Sequence, residues 1–175
     1  MTPVIISPFL SFSPQASMQD MTSCFKLLIF SDGSLTRHLQ LILNSTIQVE
    51  IDLFYEHSVL SYHYCWIHSV IPGPRITRQI WLTTEQKEKV VYAHSIWPKN
   101  VFLRDFSNPN QSIGNWLIDS EIDVFKYVYK IEYVYSYYLE QNFNSPGPFW
   151  SRYYFLVRNG CILTAVQEIF SPLLS

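Results

Sequence analysis

The sequence lacks the features that mark several classes of protein. No apolar run approaches the roughly 20 residues that a membrane-spanning helix needs, so no membrane span is predicted. Charged residues make up only 15% of the 175 residues, the net charge is −2, and no basic run occurs. Nucleic acid is therefore not an expected partner, because duplex binding requires concentrated lysine and arginine. The chain also has no glycine-rich phosphate loop.

Cysteine is scarce as well. The three cysteines, Cys24, Cys65 and Cys161, lie far apart and form no CxxC motif. This spacing indicates free thiols in a reducing compartment. His63, Cys65 and His68 come nearest to a metal-binding cluster. On a strand the first two share a face and His68 lies opposite, and no second cluster completes a tetrahedral site. The sequence therefore predicts no metal.

Apolar and aromatic residues are abundant. Hydrophobic residues make up 48% of the chain and aromatic residues 17%, a composition that argues against a disordered protein. A chain of this length fits one domain with its own core. The N-terminus contains three prolines and no lysine or arginine before Lys26. We predict a flexible arm over residues 1–17 and a single domain over residues 18–175.

The hydrophobic periodicity predicts short helices and longer strands. Helices are predicted over 18–30, 35–43 and 112–118, the last two with Ser34 and Ser112 as N-caps. Strands are predicted over 46–54, 75–83, 90–97 and 121–138, in the two terminal runs, and as a strand or extended connection over 58–70. Residues 98–110 and 141–148 are predicted to be irregular. Because strands and helices do not alternate, the fold class is α+β, with a single antiparallel sheet of about six strands and short helices covering one side.

The two terminal strands form the clearest hairpin. Asn159-Gly160 lies between two β-prone runs, which is the strongest short-range signal for a two-residue hairpin turn. Counted from the turn, one face of the returning strand carries Ile162, Thr164, Val166, Glu168 and Phe170. Glu168 is thus a carboxylate among apolar neighbours, which is unfavourable unless something pairs with it. A core salt bridge, or a carboxylate that reaches water at the strand end, is an alternative to a functional role.

A second charge is placed in the same unusual way. In the run from Arg75 to Leu82, Arg78 shares a strand face with Ile76, Ile80 and Leu82. Its planar guanidinium matches the geometry of a carboxylate. Arg152 is interpreted as covering the aromatic strand, with an indirect role at a site as the alternative. The tyrosine-rich face of 121–138, which includes Phe125, Tyr127, Tyr129, Ile131, Tyr133 and Tyr135, is interpreted as core and sheet surface.

Three segments carry a resemblance to a known family: Pro148-Phe149-Trp150-Ser151-Arg152, Asn159-Gly160, and Glu168-Ile169-Phe170-Ser171-Pro172. With them the chain resembles the chorismate–pyruvate lyase family, in its cyanobacterial and algal-plastid branch. The resemblance covers roughly residues 20 to 175. It implies an antiparallel α+β fold that splits chorismate into 4-hydroxybenzoate and pyruvate for prenylquinone synthesis, without a cofactor. It also implies a plastid-encoded protein of the chloroplast stroma. We expect a monomer.

The resemblance also implies site residues. Arg78 corresponds to the family's ligand-binding arginine, and Glu168 to the carboxylate that bonds the ring hydroxyl. The main chain at Leu35 and Ile113, each at the first position of a capped helix, corresponds to the groups that contact the ring carboxylate. Arg78 and Glu168 are the expected catalytic residues. Whether Glu168 acts as a base or only orients the ring stays open.

The chain departs from the family pattern in two places. Bacterial relatives carry Gly-Arg in the second strand of the central hairpin, where this chain has Ala93-His94 and so loses a permanent positive charge. The final strand is one residue longer between its glycine and Glu168 than in some relatives. An extra residue reverses the facing of a strand unless a β-bulge absorbs it. Glu168 therefore faces inward only if the strand contains a bulge.

Two functional hypotheses stand beside the lyase. The first is a non-catalytic module that binds a small aromatic acid, like the effector domains of some bacterial transcription regulators, although this chain has no attached helix-turn-helix. The second is a degenerate enzyme kept for a structural or partner-binding role. Turnover of chorismate to 4-hydroxybenzoate separates the lyase from both.

Overall fold

A computed structural model describes residues 10–12, 21–58, 70–106 and 108–174. Seven antiparallel strands form one sheet in the order β1-β5-β6-β7-β4-β3-β2. The strands are β1 (Leu10–Phe12), β2 (Gln48–His57), β3 (Arg75–Thr83), β4 (Lys89–Pro98), β5 (Phe125–Tyr135), β6 (Phe149–Arg158) and β7 (Cys161–Phe170). Six of these strands are long, which confirms the predicted fold class. The predicted strand over 58–70 lies almost wholly outside the described residues.

The N-terminal arm predicted over residues 1–17 falls mostly outside the described residues. Within it, β1 is a three-residue strand that pairs with Tyr133–Tyr135 at the sheet edge. The arm therefore stays a prediction for the rest of its length.

Five α-helices occur in the described residues: α1 (Ser23–Phe30), α2 (Leu35–Leu43), α3 (Lys99–Asp105), α4 (Ile113–Asp119) and α5 (Tyr137–Phe143). The predicted caps are confirmed. The Ser34 hydroxyl accepts a hydrogen bond from the Arg37 N–H at 3.4 Å, and the Ser112 hydroxyl accepts one from the Asn115 N–H at 3.1 Å. These two serines fix where α2 and α4 begin.

Helix α3 lies where the sequence predicted irregular structure over 98–110, so that prediction was wrong. The helix is stabilised by aromatic packing rather than by a strong cap. Phe102 and Phe106, one turn apart, contact each other with ring centroids 5.3 Å apart, and Phe106 stacks on Trp97 at 5.0 Å. Tertiary contacts of this kind override weak local propensity.

Helix α5 was also missed. The sequence predicted a strand to Tyr138 and a loop over 141–148, but β5 ends at Tyr135 and α5 follows at once. Ser136 caps its first turn by accepting from the Leu139 N–H, and Asn144 ends it in the left-handed conformation at φ 51°. Both are ordinary helix boundary residues, hidden here by the β-prone run of tyrosines before them.

The helices divide the sheet into two unequal faces. Helices α1 to α4 cover the face that carries Ile80 and Leu82, and their buried side chains form the two larger core clusters. Helix α5 packs on the opposite face, where Leu139 and Phe143 meet Trp81 and neighbouring aromatic residues. The predicted cover of short helices is thus concentrated on one face. Between that face and α2 and α4 lies a cavity.

The terminal hairpin has the predicted turn and the required bulge. Asn159 and Gly160 have φ angles of 50° and 75°, as a two-residue turn between twisted strands requires. The β6–β7 register then shifts between Leu156 and Val157. This bulge corrects the predicted face of the strand: Ile162 packs on the opposite face, while Glu168 lies on the cavity face. The extra residue in the last strand is therefore absorbed.

The strand registers place the predicted site residues on one face. Arg78 pairs with Ser95, and Ser95 pairs with Val166, so these three side chains point the same way. Glu168 follows Val166 by two residues and shares its face. His94 falls on the other face and is buried.

We predict a pH dependence of folding from His94. Burial, with a smaller effect of His57, lowers the pKa of His94 from 6.5 to about 4. Between these values the unfolded chain binds a proton that the folded chain does not, so the free energy of unfolding falls as pH drops from about 6.5 to about 4. His94→Gln should remove roughly 1–3 kcal/mol of that fall, measured as urea midpoints against pH. Identical pH profiles for the two proteins would contradict this role of His94.

Candidate functional site

The cavity has a volume of about 280 Å³ and lies over the centre of the sheet. Its walls come from strands β3, β4, β5, β6 and β7 and from the first turns of α2 and α4. All four residues that the sequence predicted for the site line it. The residues that matter below are Gly33, Ser34, Leu35, Arg78, Ala93, Ile113, Gly114, Lys126, Tyr154 and Glu168.

Arg78 is held in place by the loop before α4. Its side chain is 1% exposed, its Nε donates to the Pro109 carbonyl at 2.7 Å, and its Nη2 donates to the Gln111 carbonyl at 2.7 Å. The guanidinium also lies over the Phe106 ring at 5.3 Å. Burial lowers the pKa of Arg78 to about 10, so it stays charged at neutral pH. Two of its five N–H groups serve the loop, and its position on the cavity wall offers the others to an anion.

Glu168 is held by two neighbours on β6. Its Oε2 accepts from the Arg152 Nε at 2.6 Å and its Oε1 accepts from the Tyr154 hydroxyl at 2.9 Å. Burial, and next the charge of Glu168, raise the pKa of Tyr154 well above its ordinary value, so its hydroxyl stays a donor. A carboxylate oxygen has room for more than one donor. Glu168 can therefore accept a further hydrogen bond from a ligand in the cavity.

Arg152 links Glu168 to the end of α1. It is fully buried, and its Nη1 donates to the carbonyls of Leu28, Ile29 and Ser31 at 2.8, 3.2 and 3.1 Å. The alternative interpretation from the sequence, an indirect role at the site, fits this geometry better than cover for an aromatic strand. Glu168 forms the core salt bridge that the sequence gave as an alternative, and it also lines the cavity. Its functional role stays a prediction.

The first turns of α2 and α4 approach each other closely at the cavity. A Cβ atom added to Gly114 would overlap the Ser34 hydroxyl, so only glycine allows this approach. The N–H groups of a first helical turn have no partner within the helix. Those of Leu35 and Ile113 belong to such turns, and both residues line the cavity. The arrangement concentrates backbone donors near Arg78, which favours an anion.

Lys126 and Tyr154 line the cavity although the sequence gave them no role. Lys126 donates from Nζ to the Gly33 carbonyl at 3.1 Å and lies 4.9 Å from the centroid of the Tyr154 ring.

The β5–β6 register shifts between Val128 and Lys130, so Lys126 faces the cavity while the aromatic residues on either side of it face away. Phe125 and Tyr127 are exposed, and Ile131 and Tyr133 pack into the core instead. One bulge thus divides the predicted tyrosine-rich face.

Ala93 lines the cavity, whereas His94 lies on the other side of the sheet. The positive charge that the Ala93-His94 pair lacks is therefore not replaced by His94, whose lowered pKa keeps it neutral at pH 7. The change nevertheless leaves the cavity open, since an alanine side chain is small.

The described ranges contain no group of three or more side chains suited to a metal ion. His63, Cys65 and His68 lie outside them. Cys24 and Cys161 are exposed free thiols. In the same ranges, no helix has the length and apolar character needed to traverse a bilayer.

The fold and the cavity define a class: an α+β protein with a single antiparallel sheet and a cavity lined by both charged and apolar side chains. Solved structures support the fold. The effector domain of PhnF from Mycobacterium smegmatis matches with a TM-score of 0.62 over 82% of this chain and 91% of that domain, at 10% identity. A GntR-family transcriptional regulator from Bacillus cereus matches with a TM-score of 0.57 over 74% of this chain and 94% of that structure, also at 10% identity. At such identity these likenesses show the fold alone.

Sequence comparison gives the family. The model of the Rv2949c-like family, described as chorismate pyruvate-lyase Rv2949c-like, matches residues 29–175, and the chain belongs to that family. Two algal relatives are similar along most of their length. The uncharacterized protein ycf21 of Cyanophora paradoxa is 35% identical over 154 residues, 86% of this chain and 78% of the relative. That of Porphyra purpurea is 31% identical over 151 residues, 86% and 82% respectively.

We predict that Gly114→Ala destabilises the fold by roughly 1–3 kcal/mol, because the added methyl group forces α2 and α4 apart. This loss outweighs the roughly 1 kcal/mol that alanine gains in helix propensity. Gly33→Ala is the matched control: its added Cβ would meet mainly the tip of the His38 side chain, which can rotate away. Urea denaturation measures both variants. Wild-type stability in Gly114→Ala would refute the close approach.

We also predict strong coupling between Arg152 and Glu168. Arg152→Met should lower the free energy of unfolding by about 3–5 kcal/mol, because it leaves a buried carboxylate without its cation. Adding Glu168→Gln to that variant should recover part of the loss, since the uncompensated charge is then gone. Denaturation of both single variants and the double variant gives the coupling energy. Additive effects would mean that the two side chains do not interact.

Proposed function

We propose that this protein is a chorismate lyase, which eliminates pyruvate from chorismate to give 4-hydroxybenzoate. The observation that carries the proposal is that Arg78 and Glu168, from strands separated by β4, line the same cavity. One is a buried cation, and the first turns of α2 and α4 line the same cavity; the other is a buried acceptor. A ring with a carboxylate at one end and a hydroxyl at the other fits such a pair. Membership of the chorismate pyruvate-lyase family supports the same substrate.

In the proposed complex the ring carboxylate binds at the Arg78 end. The guanidinium supplies a charge-assisted hydrogen bond, and the first-turn N–H groups of Leu35 and Ile113 add neutral donors. The ring hydroxyl donates to Glu168, which Arg152 and Tyr154 hold in position. These contacts fix the ring from both ends.

The reaction then needs little further help from the protein. The hydrogen on ring carbon C4 moves to the methylene carbon of the enolpyruvyl group while the C3–O bond breaks. The electrons of the C4–H bond complete the aromatic ring, the methylene becomes the methyl group of pyruvate, and the ether oxygen becomes its keto oxygen. Aromatisation supplies driving force, so the enzyme contributes mainly by fixing the reacting conformer. No metal or organic cofactor enters this step.

We propose that Glu168 orients the ring and does not act as the base. The elimination described above needs no base, because the C4 hydrogen moves within the substrate. Glu168 accepts hydrogen bonds from the Arg152 guanidinium at 2.6 Å and from the Tyr154 hydroxyl at 2.9 Å, and these contacts fix its position. Its suitable role is therefore that of an acceptor in fixed position.

The alternative is a non-catalytic module that binds an aromatic acid. One observation supports it: Arg78 and Glu168 are each held by groups of the protein, so the site is ready to bind a ligand whether or not that ligand reacts. Binding of 4-hydroxybenzoate without turnover of chorismate would establish this alternative.

We further propose that the protein acts in the chloroplast stroma, as a monomer, and supplies 4-hydroxybenzoate for a prenylquinone. The support is the similarity to ycf21 proteins of algae and the plastid branch of the family that the terminal hairpin resembles. Sedimentation of the purified protein tests the monomer, and recovery of the protein in the stromal fraction tests the location. A dimer or an extraplastidic protein would refute the corresponding part.

The decisive experiment is incubation of the purified chain with chorismate, followed by the absorbance of 4-hydroxybenzoate and by pyruvate release. We expect turnover by the wild type and a loss of about 30-fold or more in kcat/KM for Arg78→Met, because the ring carboxylate loses its buried cation. Glu168→Gln should also lose activity. An inert wild-type protein that contains no bound product would overturn the proposal.

Controls must separate catalysis from folding, because Arg78 also holds the loop carbonyls of Pro109 and Gln111. Arg78→Lys keeps the charge but loses the planar fork, so it should retain the fold better than Arg78→Met and still lose activity. Arg37→Met is the matched control, since it removes an exposed arginine of α2 outside the cavity. Unchanged kcat/KM in a folded Arg78→Met protein would refute the role of Arg78.

A further inference from the structure

The cavity contains a second cation, Lys126, that the proposed contacts with a hydroxybenzoate do not use. It lies on β5, on the opposite side of Glu168 from Arg78 in the strand order. An ammonium group has three N–H donors, and the hydrogen bond of Lys126 to the Gly33 carbonyl occupies one of them. The side chain is partly buried, and burial lowers its pKa to about 8, so it is mostly charged at neutral pH. A partly desolvated cation of this kind is a favourable site for a second anion.

The position of Lys126 relative to Glu168 indicates which anion it would meet. Both contact the same tyrosine: Lys126 Nζ lies over the Tyr154 ring, and the Tyr154 hydroxyl donates to Glu168. Lys126 is thus near the end of the cavity where the ring hydroxyl would bind. In chorismate, the enolpyruvyl ether is on the ring carbon next to the one that carries the hydroxyl. Its carboxylate must therefore lie close to that hydroxyl and away from the ring carboxylate.

We propose that Lys126 is a specificity-determining residue that binds the carboxylate of the enolpyruvyl side chain, so that the cavity selects a dicarboxylate over a monocarboxylate. This inference rests on the proposed function. Lys126 and Arg78 then divide the two negative charges of the substrate between opposite ends of the cavity. After elimination only the Arg78 end remains occupied by a charged group of the aromatic product, and pyruvate carries the other charge away.

The test compares two ligands that do not react. One is 4-hydroxybenzoate, with a single carboxylate. The other is 3-(1-carboxyvinyloxy)-4-hydroxybenzoate, which keeps both carboxylates but is already aromatic and cannot eliminate. Calorimetry or fluorescence titration gives their affinities for the wild type, Lys126→Met and Lys126→Arg.

We expect Lys126→Met to lower the affinity for the dicarboxylate by about tenfold or more, because one charge-assisted hydrogen bond is lost. The affinity for 4-hydroxybenzoate should change by less than about twofold. Lys126→Arg should restore most of the dicarboxylate affinity. Lys130→Met is the matched control, because it removes a lysine from the same strand whose partner is Glu132, outside the cavity. It should leave both affinities unchanged.

A merely structural Lys126, acting through its bond to Gly33, would weaken both ligands alike, and this result would overturn the proposal. Equal dicarboxylate affinity in the wild type and Lys126→Met would overturn it as well. Chorismate turnover by the wild type reports on the proposed function separately. Turnover with unselective loss in Lys126→Met would remove the role of Lys126 and leave the lyase in place, whereas binding of neither ligand by the wild type would remove both.

Discussion

The rest of the site depends on the buried ion pair between Arg152 and Glu168. The two residues face each other across β6 and β7, which are neighbours in the sheet, and Arg152 also binds three carbonyls at the end of α1. A buried ion pair is stable only where further hydrogen bonds satisfy both partners. Here the α1 carbonyls accept from Arg152 Nη1 and the Tyr154 hydroxyl donates to Glu168, while Arg152 Nη2 is buried without a partner among the described residues. The same contacts therefore dock a helix on the sheet and fix the direction in which Glu168 meets the cavity.

Much of this architecture could be predicted because it follows short-range rules. Helix α2 and strand β3 have the predicted bounds, since a serine cap and a clear apolar alternation determine them. The hairpin turn follows from Asn159-Gly160. The inward position of Arg78 follows from the same period-two alternation. Arg78 shares its strand face with Ile76, Ile80 and Leu82, and these apolar side chains must face the core.

The features that could not be predicted depend on contacts distant in sequence. The bulges near Leu163 and Tyr129 reverse the facing of β7 and β5, and no local residue type marks them. The bulge near Tyr129 concealed the position of Lys126. Without this bulge, Phe125 and Tyr127 would share the inward face of Ile131 and Tyr133, and Lys126 would point away from the cavity. Helix α3 depends on aromatic packing against Trp97. The partners of Glu168 were hidden for a related reason: Arg152 belongs to a neighbouring strand, and only the register brings the two together.

The charged groups of the cavity are each held by other groups of the protein. This arrangement suits both the proposed lyase and the alternative binding module. Arg78 is fixed by loop carbonyls, Glu168 by β6 and Lys126 by Gly33, so the site is formed before any ligand enters. Preformed polar groups lower the entropy lost on binding, which serves a ligand-binding domain. An elimination that proceeds within the substrate requires the same property, because its barrier falls mainly through restriction of the reacting conformer. The proposed lyase and its non-catalytic alternative therefore require the same preformed site, and they differ in whether the bound molecule can become aromatic.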